Sequence, residues 1–99
     1  MAVSIDHLAK TLDQHKVELK ERFHVESLSV FGSVSRGIAG PKSDVDILVR
    51  YLKTPGLFAF LELKIYLENI VGQKVDLVTE KALKKQLRKK ILQEAIRVA

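Results

Sequence analysis

The sequence has no cysteine. That excludes disulfides and any thiolate metal site, and it removes the usual mark of a secreted chain. No apolar run approaches the length needed to cross a bilayer, and Met1 is followed by an amphipathic pattern rather than by a basic and then apolar leader. His7, His15 and His24 stand at no metal-ligand spacing. Internal repeats, low-complexity tracts and linkers are also lacking. What remains is the expectation of one domain over residues 1–99, cytoplasmic, with 46% apolar residues for a single core. Seventeen Lys+Arg against twelve Asp+Glu give a net charge of +5, which favours a nucleotide, a nucleic acid or an acidic protein face without choosing among them.

The apolar spacing alternates between helical and strand periods. Ser4 is placed to cap a helix carrying Ile5, Leu8, Leu12, Leu19 and Phe23 on one face, with His15 filling the gap and the helix ending near Phe23 or His24. Leu28–Phe31 reads as a short strand stopped by Gly32. Ser33 to Gly37 suits one helical turn, and Gly40-Pro41 marks a loop. Asp44–Arg50 is a second strand, with Val45, Ile47 and Val49 on one face and Leu48 on the other. The residues from Leu57 to Val71 form a helix stopped by Gly72, and Lys74 to Thr79 contains Val75-Asp76-Leu77-Val78, a third strand. Thr79 then caps a last helix whose buried stripe is Leu83, Leu87, Ile91, Ala95 and Ile96. The strand–helix–strand unit implies two parallel neighbours, and the short loop between the first two strands implies an antiparallel pair. The expected architecture is α+β (α/β-like): a mixed sheet of about three strands backed by helices on one face.

Three acids interrupt the strands. Asp44 and Asp46 lie two residues apart, so both carboxylates point the same way with Cα atoms about 6.6 Å apart. Like charges in such an apolar segment are costly unless a cation sits between them. If the third strand lies beside the second, Asp76 joins them on the uncovered face. Hard oxygen ligands suit Mg²⁺ or Mn²⁺ rather than zinc, and a pair of such ions can clamp the attacking and leaving oxygens of an in-line phosphoryl displacement. Just upstream, Gly32 permits close backbone approach, Ser33 offers a hydroxyl and amide donors at the start of a helical turn, and Arg36 supplies a charged fork for phosphates.

Gly32-Ser33, ten residues, then Asp44-Val45-Asp46 resembles the signature of the DNA-polymerase-β-type nucleotidyltransferases. The longer form, Gly-Ser-x-x-Arg-Gly followed by Ser-Asp-x-Asp, is similar to the minimal nucleotidyltransferases (MNT) that serve as antitoxins in HEPN/MNT toxin–antitoxin pairs. The likeness extends over nearly the whole chain, including Lys74-Val75-Asp76-Leu77-Val78 and a closing helix rich in Leu, Lys and Arg. It implies that Asp44 and Asp46 hold two metal ions, and that Asp76 ligates metal or helps deprotonate the acceptor. It further implies that Gly32, Ser33 and Arg36 contact the phosphates of ATP, and that AMP passes to a tyrosine of a partner HEPN toxin. Ser35 stands where alanine is common in such motifs.

Competing readings exist for each feature. The paired acids could be solvated or salt-bridged, Asp76 could pair with Lys74 or Arg50, and Arg36 could form a surface ion pair. Neutralisation of the toxin by binding alone is a second function, and transfer to a small molecule or an RNA end a third. Lys81, Lys84, Lys85, Arg88, Lys89 and Lys90 crowd the last helix, as a solvated face or as a docking surface for an acidic partner or nucleic acid. Leu57-Phe58-Ala59-Phe60-Leu61 is more apolar than one buried helix face requires, which suggests a protein interface.

Overall fold

The computed structural model describes residues 5–32, 44–83 and 85–99. Where the sequence suggests one leading helix, the structure has two, α1 (Ile5–Gln14) and α2 (Lys16–Phe23). The break is at His15, whose φ and ψ of −108° and 11° leave the helical region. Its amide donates to the Leu12 carbonyl at 3.1 Å, its Nδ1 lies 2.9 Å from the Thr11 carbonyl, and its ring meets Tyr66 edge-on. Local hydrogen bonds and an aromatic contact thus replace one turn of helix. The expected cap, Ser4, lies outside the described residues. α2 closes at His24, which adopts the left-handed conformation at φ 58° and donates its amide to the Lys20 carbonyl.

Strands β1 (Val25–Phe31) and β2 (Val45–Tyr51) pair antiparallel; helix α3 (Leu57–Val71) then crosses over to β3 (Val75–Thr79), which runs parallel to β2. This is the arrangement anticipated from the loop lengths. Gly72 ends α3 with φ 79° and donates its amide to the Glu68 carbonyl. Val45, Ile47 and Val49 are fully buried with Leu28 and Val30 on one face of the sheet, packed with Leu8, Leu12, Leu63 and Leu67 from the helices. Tyr66 ties α3 to α2, its hydroxyl donating to Glu18 Oε2 at 2.9 Å. Leu48 is buried as well, so the opposite face, which carries the acids, is open only in part.

The chain end departs from the sequence expectation. Helix α4 (Lys85–Glu94) stops before Ala95 and Ile96, and the chain continues as β4 (Ile96–Arg97), a fourth strand antiparallel to β1, in the order β3-β2-β1-β4. Two forces favour this. The outer edge of β1 has amides and carbonyls to satisfy, and the Val98 amide donates to the Leu28 carbonyl at 2.9 Å. Val98 itself enters the core. No residue of α4 is buried, and Leu87 is 50% exposed, so the expected buried stripe is absent. A helical apolar period records which side chains share a face, not whether anything covers it.

Thr79 caps a 3-10 turn (Glu80–Ala82) rather than α4, its Oγ1 accepting the Ala82 amide. Glu80 receives Arg50 on Oε2 and Arg88 on Oε1, each at 2.8 Å, joining β2 to α4. The two guanidiniums hold its carboxyl below the usual 4.5. A depressed carboxyl stabilises the fold above its unfolded value and loses that contribution as pH falls through the folded one. Wild type is therefore expected to lose stability relative to Glu80→Gln as pH drops below 4.5, with the gap greatest above it. Denaturant melts of both proteins across this range test it; parallel curves would refute the bridging role. Among the described residues, no helix is long and apolar enough to cross a membrane.

Candidate functional site

The register of the sheet assembles the acids. Asp46 on β2 is the Cα partner of Asp76 on parallel β3 and of Phe31 on antiparallel β1. Neighbouring strands are about 4.8 Å apart and partnered residues share a face, so the two carboxylates stand side by side away from the core. Asp46 is half-buried and Asp76 exposed. Asp44 is exposed one residue before β2, where the next amide, that of Val45, donates to the Lys74 carbonyl at 2.9 Å. On the other strand, the Val75 amide donates to Glu68 Oε2 at 3.1 Å. The residues beside Asp44 and Asp76 are thus pinned by hydrogen bonds, one to the lead-in of β3 and one to the end of α3.

Gly32 follows β1 with φ 72°. A Cβ there would be driven into the Asp46 carboxylate, whose Cγ lies only 3.2 Å from that position. The glycine therefore has a second use beside the one read from sequence. It permits close backbone approach, and it leaves the space that the Asp46 carboxylate occupies. Only the β1–β2 register reveals this, because residues 32 and 46 are far apart in sequence. Ser33 and Arg36, with Gly37, Gly40-Pro41 and Ser43, lie outside the described residues.

Arg50, one candidate partner for Asp76, is engaged with Glu80 instead, and among the described residues Asp76 forms no ion pair. Among the described residues, no three acidic or imidazole side chains converge into a ready-made cage. Two adjacent carboxylates on an open face nevertheless match the habit of Mg²⁺, which binds one or two protein carboxylates and completes its shell with water and substrate phosphates. The donor chemistry fits such an ion.

Residues 12–98 match the family model described as a nucleotidyltransferase domain. Over 96 residues the chain is 44% identical to the protein adenylyltransferase MntA of Thermococcus cleftensis, with 97% of each chain covered. A solved structure designated a minimal nucleotidyltransferase is similar with a TM-score of 0.79, 35% identity and 95% coverage of both chains. The fold is also shared with a complex of a tri-AMPylated HEPN toxin and an MNT antitoxin from Shewanella oneidensis (TM-score 0.64, 20% identity, 92% of this chain and 71% of that one). With its acids on adjacent strands and its glycine turn beside them, this chain belongs to the nucleotidyltransferase domain family and, within it, to the minimal, MntA-like nucleotidyltransferases.

Proposed function

We propose that this chain, acting as one minimal domain in the cytoplasm, is a Mg²⁺-dependent protein adenylyltransferase. It moves AMP from ATP to a tyrosine hydroxyl of a cognate HEPN toxin, and the modification silences the toxin. The observation that carries the reading is the pairing of Asp46 with Asp76 beside Gly32, on the partly open face of the sheet. The similarity to an MntA adenylyltransferase and to a complex with an AMPylated toxin supports it.

In the reaction the acceptor oxygen forms a bond to the α-phosphorus of ATP while the bond to the bridging oxygen breaks, and pyrophosphate leaves with that electron pair. Asp76 is assigned the proton of the acceptor hydroxyl, or a share of the metal. Asp44 and Asp46, with Asp76, would hold Mg²⁺ or Mn²⁺, which when bound neutralises charge on the phosphates. Ser33 and Arg36 are assigned to the phosphates as well, Ser33 through its hydroxyl and amide and Arg36 through its guanidinium. Gly32 keeps the turn close to them.

Incubation of the chain with the HEPN protein encoded beside it, Mg²⁺ and ATP labelled on the α-phosphate is expected to label the toxin and inhibit its ribonuclease activity. A toxin that is inhibited without gaining label would point instead to neutralisation by binding alone. No inhibition and no label would remove the antitoxin reading altogether.

A further inference from the structure

At the end of the parallel strand pair away from the acids lies an open cleft of about 540 Å³. The Asp46–Asp76 row and the Val49–Thr79 row at the cleft are three strand steps apart, about 10 Å. Tyr51, Leu57 and Phe60 supply apolar lining, and Arg50, Lys81 and Arg88 bring three cations against the single acid Glu80. The apolar lining continues outward: Leu57 is 71% exposed and Phe58, next on α3, is 80% exposed. A solvent-facing apolar surface of this kind, with Leu61 and Ile65 of the same helix exposed as well, marks a contact surface.

The charge around it selects the occupant. A second copy would bring its own net charge of +5 against the same cations, whereas an acidic surface is attracted. We infer that this cleft is a docking site for the acceptor protein, taking a segment that presents an apolar side chain flanked by carboxylates. The inference rests on the reading that the acceptor is a protein. Its consequence is a division of labour. One end of the parallel strands grips the partner, and the other end, about 10 Å away, modifies a hydroxyl that reaches the acids. Such an arrangement suits a domain this small, because affinity for the partner need not come from the reacting segment itself.

The test uses the full chain and the cognate HEPN toxin with two charge-introducing variants, Leu57→Glu and Lys81→Glu. Both positions are exposed, so thermal melts are expected to match wild type. Each variant is expected to raise the Kd for the toxin, and the KM for the toxin in AMP transfer, by about tenfold or more, with kcat and the KM for ATP unchanged. A photo-crosslinking residue at Phe58 is expected to capture the toxin, and one at Val17, exposed on α2, is not. Unchanged toxin Kd and KM with wild-type labelling intact would overturn the docking site alone. A wild-type chain that neither binds nor labels the toxin would overturn the proposed function, and the docking site with it. Loss of a homodimer in the variants, with toxin binding retained, would show that a second copy occupies the cleft.

Discussion

Replacing Asp46 by Asn is expected to reduce AMP transfer to the toxin by about 10²–10³-fold, the usual cost of removing one electrostatic group from a reaction that develops charge. Asn keeps the size and shape of the side chain, so the contact with Gly32 and the position in β2 are retained while the negative charge is lost. The fold should hardly notice. Asp46 lies on the partly open face, outside the core formed by Val45, Ile47 and Val49, and its melting temperature should stay close to that of wild type. Toxin binding should survive too, because the proposed docking cleft is at the other end of the strands. Labelling with α-labelled ATP, a thermal melt and a binding isotherm separate these effects. Full labelling by the Asn variant would remove Asp46 from the chemistry, and lost binding would show that the acids also form the contact surface.

Gly32→Ala should be damaging in a different way. An L-residue at φ 72° costs roughly 1–2 kcal/mol, and in a domain of this size that is a fall in Tm of about 4–15 °C. The added methyl also meets the Asp46 carboxylate and must push it aside. Displacing a reacting group by about 1 Å can cost on the order of 10²-fold in rate. Gly72 provides the control. Its φ of 79° imposes the same backbone strain, yet nothing lies within 4 Å of where its Cβ would be. Gly72→Ala should therefore lose stability comparably and keep its specific activity when assayed well below its Tm. Equal loss of activity in both variants would mean that Gly32 acts only through stability, with no role in placing Asp46.

β2 was legible because Val45, Ile47 and Val49 alternate with Asp46, Leu48 and Arg50, and its parallel pairing with β3 because a helix separates the two. α3 was legible from its apolar spacing and from Gly72 after it. The split at His15 was not, since it depends on the Thr11 carbonyl and on Tyr66, a residue 51 positions further along. β4 was not legible either. Ala95 and Ile96 continue a helical period, and only the unpaired edge of β1 and the core pocket for Val98 draw the chain into a strand. The apolar excess around Leu57 and Phe58 was visible as a surplus; that it borders a cation-lined cleft was not.

By itself the sequence determined the periods, the turns and the chemical character of the site: two acids at strand spacing, a third on a later strand, and a glycine turn before them. Local preferences and residue chemistry suffice for these, because each depends on neighbours within a few positions. The tertiary structure decided which acids are neighbours. It paired Asp46 with Asp76, turned Arg50 away to Glu80, and set the Asp46 carboxylate against a glycine that has no side chain to resist it. Register and strand order are long-range properties, set by the burial of one sheet face and the satisfaction of its backbone, and no local pattern contains them.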